Sequence, residues 1–224
     1  MSVIIKELVL LNGIPSARIQ CDSNIIPAPG QYLLAYADGS DSPLADSVFC
    51  AKTFADSFLA APPIPTSWNL RTRLHLRGPL GHGFGLPKES RRVALIAFDD
   101  SPSRLMPLLD IALKQKSSIV LICKTPPDDL PLQVEIQPLN ELIHIFRWAD
   151  YVAIDASRES LPELKKMLGN GKTLSVKNEA QILIRTSMPC GALADCGVCT
   201  IASRRGPLLA CKDGPVFDLK DLLD

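Results

Sequence analysis

The sequence predicts a small β-barrel followed by a parallel α/β domain and a C-terminal metal-binding module. Three observations carry this. Residues 70–77 alternate strictly: Leu70, Thr72, Leu74 and Leu76 face one way and Arg71, Arg73, His75 and Arg77 the other, as in a half-buried strand. Two continuous apolar runs, 93–98 and 118–123, flank a stretch with helical spacing, the pattern of buried parallel strands joined by a helix. Four of the seven cysteines lie between positions 190 and 211.

The elements follow in order. In the first segment, residues 1–86, the apolar stretch 3–11 is strand-like. A second strand, 31–36, follows the turn chemistry of Pro27-Ala28-Pro29-Gly30. Short strands separated by Gly and Pro turns suit a barrel. In the second segment, 87–171, the run 93–98 is a buried strand. Residues 103–114 form a helix with Leu105, Leu108, Leu109 and Leu113 on one face and Ser103 as its cap. A strand at 118–123, a helix at 139–148, a strand at 151–154 and a helix at 161–168 ending at Gly169 complete the βαβ alternation. The third segment, 172–224, holds the cysteine cluster.

Composition narrows the function. The chain has 224 residues, 46 % of them hydrophobic, enough for a sizeable core. Its 24 basic and 24 acidic residues balance, so no global field draws nucleic acid or an anionic membrane. No apolar run reaches the ~20 residues of a membrane helix. The run 8–11 behind Lys6 lacks the features of a signal peptide, which points to a cytoplasmic protein. An odd number of cysteines argues against a disulfide framework, and clustered thiols in a reducing compartment bind metal. Cys21, Cys50 and Cys123 are dispersed, and Cys123 closes an apolar run as a buried structural thiol would.

The cluster reads Cys190-Gly191-Ala192-Leu193-Ala194-Asp195-Cys196-Gly197-Val198-Cys199, with Cys211 following after eleven intervening residues. Small residues before a Cys-x-x-Cys let thiolates converge while backbone N–H groups face the sulfurs, which offsets the charge of a thiolate-ligated cluster. The plant-type [2Fe–2S] spacing is C-x4-C-x2-C…C; the first gap here is five residues. A four-cysteine zinc site also needs four thiolates, although zinc ribbons present two Cys-x-x-Cys knuckles and this chain has one. Spacing therefore leaves iron–sulfur or zinc at Cys190, Cys196, Cys199 and Cys211. Asp195 is read as a solvated loop carboxylate. The basic face Arg71, Arg73, His75 and Arg77 is read as solvated rather than as a phosphate or acidic-partner site. The three histidines have no nucleophile partners, so no catalytic residue is assigned.

Three patches resemble the iron–sulfur electron-transfer subunit of type B dihydroorotate dehydrogenase, within the ferredoxin–NADP reductase superfamily. They are Cys211-Lys212-Asp213-Gly214-Pro215-Val216-Phe217, Arg77-Gly78-Pro79-Leu80-Gly81-His82-Gly83-Phe84 and Pro29-Gly30-Gln31-Tyr32. The resemblance implies a ferredoxin–NADP reductase-like barrel, a parallel α/β domain and a C-terminal [2Fe–2S] module on the four cysteines. It also implies FAD on the barrel, NAD on the α/β domain and a flavin-containing partner subunit. Three departures weaken the case for FAD and for NAD. Asp46 stands near the place of the phosphate-neutralising Arg of the family's Arg-Pro-aromatic-Ser motif, in the stretch 43–49. Asp99 and Asp100 replace the Gly-rich turn after the first α/β strand. The late Cys-Gly-Pro signature is replaced by 154–157. The expectation is an electron-transfer subunit with degenerate flavin and nicotinamide domains, relaying electrons to or from a flavin-containing partner. The rival is a non-enzymatic structural or redox-sensing metal protein acting as a scaffold.

Overall fold

The computed structural model describes residues 1–40, 42, 44–99, 101–169 and 179–223. Six strands close a barrel: β1 (Ser2–Leu11), β2 (Ile14–Gln20), β3 (Tyr32–Ala37), β4 (Asp46–Thr53), β5 (Ser57–Ala60) and β6 (Arg73–Leu80), in the order β1-β2-β5-β4-β3-β6. The β1–β2 hairpin turns on Asn12 and Gly13, both at positive φ, as a two-residue turn between right-twisted strands requires. Val3, Ile5, Ile19, Leu33, Phe58, Trp68 and Leu74 fill the barrel. The alternation predicted from position 70 begins later. Leu70 is exposed, Arg71 has φ 67°, and β6 starts at Arg73. The Thr72 hydroxyl accepts the Asn69 amide and closes a turn there instead.

The second layer is a six-stranded sheet built on β7 (Arg92–Ala97), β8 (Ser118–Ile122), β9 (Val134–Gln137), β10 (Tyr151–Ser157) and β11 (Glu179–Arg185), all parallel. Later hairpin strands are β12 (Thr200–Ser203) and β13 (Gly206–Leu209); β14 (Val216–Asp218) joins the large sheet antiparallel to β11. The sheet order is β14-β11-β10-β7-β8-β9. Helices α1 (Met106–Lys114), α2 (Leu142–Trp148) and α3 (Leu161–Leu168) make the crossovers; α4 (Ala210–Asp213) and α5 (Leu219–Leu222) are single turns. The predicted cap moves by two residues: Ser101, not Ser103, accepts the Ser103 amide, and a 3₁₀ turn over Pro102–Leu105 precedes α1. Gly169 ends α3 with φ 64°, as expected.

The predicted boundary between the second and third segments, at 171/172, lies outside the described residues. Strands β11 and β14 are neighbours in the sheet, so residues 186–215, which carry all four predicted ligands, connect two adjacent strands. One apolar core runs from Tyr32 and Phe49 of the barrel through Ile154 and Ile184 to Cys199, Cys211 and Val216. Cys21 and Cys50 are buried; Cys123 is only half-buried, and burial raises its pKa. Among the described residues no helix is long and apolar enough to cross a membrane.

Candidate functional site

The cysteine loop is shaped by its small residues. Gly191, Ala192, Ala194 and Gly197 all take positive φ, between 62° and 67°. Left-handed residues interspersed in a loop turn successive N–H groups to one side, which makes a concavity for anions. The Cys190 sulfur sits in it. Amides of Asp195, Cys196 and Leu193 point at that sulfur, as does the Cys196 thiol, and they draw its pKa down to about 6.

The other two cysteines are brought together by the β12–β13 hairpin. Cys199 precedes β12 and Cys211 follows β13, and the Ala210 amide donates to the Cys199 carbonyl at 3.1 Å. Both are buried, and the Cys199 thiol lies near enough to act on Cys211. Burial, then the Cys199 and Cys190 thiols, push Cys211 up to about 12, against one amide bond from Ala194. The loop thus forms two pairs, Cys190 with Cys196 and Cys199 with Cys211, with Cys190 close enough to act on Cys211 electrostatically. Among the described residues no group of three or more His, Cys, Asp or Glu is arranged to hold a metal ion. The donor chemistry nevertheless suits a thiolate-ligated cation. Backbone amides favour the thiolate at Cys190, while burial and the neighbouring thiols oppose it at Cys211.

The barrel grips this loop through three side chains that sequence reasoning did not assign to it. Tyr32 Oη donates to the Cys211 carbonyl at 3.2 Å, an Arg77 nitrogen donates to the Gly191 carbonyl at 2.8 Å, and the His82 ring Nδ1 donates to the Asp213 carbonyl at 3.0 Å. Burial, then the nearby cysteine thiols, raises the Tyr32 pKa, so the phenol stays a donor. The predicted basic face is therefore divided. His75 and Arg73 pair with Asp38, at 2.6 and 3.9 Å, while Arg77 reaches the cysteine loop.

Two of the three family-like patches, 77–84 and 211–217, touch each other. The His82 amide donates to the Gly214 carbonyl at 2.6 Å, and a Cβ at Gly81 would stand 2.5 Å from Pro215 Cδ and 2.6 Å from the Gly214 oxygen. Only a glycine allows that backbone approach.

A second constellation lies at the carboxyl ends of β7 and β10, where the strand order reverses and α/β sheets bind ligands. Asp99 accepts the Ser157 amide at 2.8 Å, the hydroxyls of Ser157 and Ser160, and the Arg185 guanidinium. Burial opposes its charge, but these bonds outweigh burial and hold the carboxyl below the usual range. Asp155, 1 % exposed inside β10, pairs with Arg185 Nε at 2.8 Å and with Arg104 at 3.4 Å. Arg104 then crosses to the barrel: it donates to the Pro62 carbonyl at 2.7 Å, and its guanidinium carbon lies 5.8 Å from the Phe49 ring centre. Asp100 lies outside the described residues. On the barrel, Asp46 opens β4 and lines a pocket of about 300 Å³ with Ser47, Val48, Ala61, Pro63, Ile64, Pro65 and Trp68, none of them basic. These residues do not fit a dinucleotide. On the layout the resemblance implies, Asp46 and Asp99 stand where diphosphate oxygens would need donors, and Arg104 and Arg185 are engaged with Asp99 and Asp155.

No protein-family model matches the chain. It is 27 % identical over 159 residues to a Thermoplasma acidophilum protein named "Probable dihydroorotate dehydrogenase B (NAD(+)), electron transfer subunit". That match covers 66 % of the chain and 60 % of the relative. Among solved structures, an NADH-dependent reduced ferredoxin–NADP oxidoreductase described for flavin-based electron bifurcation superposes with a TM-score of 0.76 at 14 % identity, covering 98 % of this chain and 89 % of that one. Phthalate dioxygenase reductase, described as a modular structure for electron transfer from pyridine nucleotides to [2Fe–2S], gives a TM-score of 0.57 at 13 % identity, with 95 % and 77 % covered. The fold is ferredoxin–NADP reductase-like, and the resemblance to the dihydroorotate dehydrogenase electron-transfer subunit extends beyond the quoted motifs.

Proposed function

We propose that this chain is an electron-transfer subunit of an oxidoreductase complex, relaying single electrons through a [2Fe–2S] cluster to or from a flavin-containing partner. The observation that carries the reading is the left-handed loop around Cys190, whose thiol the backbone amides draw down, beside the buried Cys199 and Cys211. Amide donors aimed at sulfur offset the charge of a thiolate-bound cluster and tune its potential. Bound to Cys190, Cys196, Cys199 and Cys211, the cluster would supply one-electron redox capacity. The chain's part is to hold the four sulfurs through a loop pinned by Tyr32, Arg77 and His82, and to shield two of them from water.

The rim of the loop is exposed at Cys196, Leu193 and Val198. A solvent-facing apolar edge beside a redox centre suits docking of the partner that exchanges the electron.

The test is anaerobic purification, assay of iron and acid-labile sulfide, and low-temperature EPR of the reduced protein. Cys199→Ser is expected to abolish the cluster signal. Persistence of the signal in that variant overturns the ligand assignment. Zinc in place of iron favours the scaffold alternative.

A further inference from the structure

We infer that Arg104 is a built-in plug of the crevice between the barrel and the α/β domain, so that the chain takes up neither flavin nor nicotinamide by itself. This deepens the relay reading and rests on it for one consequence: the flavin then belongs to the partner.

The argument begins with position. Arg104 leaves the turn after β7, at the reversal point of the sheet, and ends between that sheet and the barrel. Its guanidinium lies beside Phe49 on β4, in the stretch that the family resemblance gives to the flavin. A guanidinium is flat and packs against aromatic rings, so it satisfies an aromatic surface that a planar cofactor would otherwise cover.

The second step is the pairing of the two terminal guanidinium nitrogens. Arg104 is 6 % exposed and bonded on both sides, to Asp155 on the sheet and to the Pro62 carbonyl on the barrel. Asp155 uses one oxygen for Arg104 and the other for Arg185, which also binds Asp99. Two arginines and two aspartates compensate one another between the sheet and the barrel. An entering cofactor would have to expel Arg104 and leave a buried carboxylate one partner short. Its diphosphate would then face Asp155 and Asp99.

The experiment uses the protein as isolated anaerobically. Flavin content is measured after denaturation, and FAD, FMN and NADH are titrated against it by fluorescence. In parallel, thermal unfolding of the wild type and of Arg104→Gly is followed with and without millimolar guanidinium chloride, with sodium chloride as the ionic-strength control. The plug predicts no stoichiometric flavin and no saturable titration in the wild type. It predicts a lower midpoint for Arg104→Gly that guanidinium ion, but not sodium, raises towards the wild-type value. Saturable FAD, FMN or NADH binding by the wild type overturns the inference, as does an Arg104→Gly midpoint equal to the wild type or insensitive to guanidinium. If Arg104→Gly does not fold, the wild-type titrations still decide. Iron and sulfide in the same preparation keep the two readings apart. Their absence sinks the relay and leaves the plug standing; bound flavin sinks the plug and leaves the relay standing.

Discussion

At the scale of single residues, Arg77 and Asp99 make the sharpest predictions. Arg77 holds the Gly191 carbonyl, one residue from Cys190, so its positive charge sits beside the proposed cluster. Reduction adds negative charge, which a nearby cation favours. Arg77→Gln is expected to lower the midpoint potential in an EPR-monitored redox titration, while Arg77→Lys keeps most of it. The shift should shrink with added salt because the side chain is exposed. Asp99 makes an acid-stability prediction. Its folded pKa is depressed, so its stabilisation is complete above the unfolded carboxylate value of about 3.9 and fades as pH falls through the lower folded value. Asp99→Asn loses that contribution at neutral pH. Its stability should therefore vary less with pH below about 4, as measured by denaturant melts across an acid series.

At the scale of elements, the contact between the Gly-rich turn after β6 and the turn before β14 docks the cysteine segment on the barrel. Gly81→Ala drives a Cβ into Pro215 and the Gly214 carbonyl at φ 74°, and is expected to cost about 2–4 kcal/mol in chemical denaturation. Helices α1 to α3 and strands β7, β8 and β10 were legible because each carries its own pattern over several residues; β9, β11 and β14 were not assigned. β4 and β5 were not: residues 46–53 mix polar ends with a short apolar middle, and β5 has only four residues. The start of β6 was misread because alternation continues through a turn held by Asn69 and Thr72, and pattern alone does not register positive φ. The site was half legible. Clustered thiols announce themselves by spacing. The grip of Tyr32 on Cys211 and of Arg104 on Asp155 joins residues far apart in the chain. One signal did exist: Asp155 stands inside an apolar strand, where an ionised side chain needs a buried partner.

At the scale of the whole molecule, one of three apolar clusters among the described residues joins barrel, sheet and cysteine segment, and the Arg104 bridge adds a polar tie across the crevice. The domains should therefore unfold as one cooperative unit. Calorimetry of the loaded protein is expected to show a single transition with matching calorimetric and van't Hoff enthalpies, and two separated transitions would contradict it. The path of the chain carries a further consequence. Residues 186–215 leave the sheet at the end of β11 and return to it on the adjacent β14, where the Ile184 amide meets the Pro215 carbonyl at 2.9 Å. In the currency of descent and of engineering, such a segment is a cartridge. Its two ends lie side by side, so an ancestor could gain or shed the cysteine segment in one event without rethreading the sheet. A designer could likewise exchange it for a different loop through two peptide junctions.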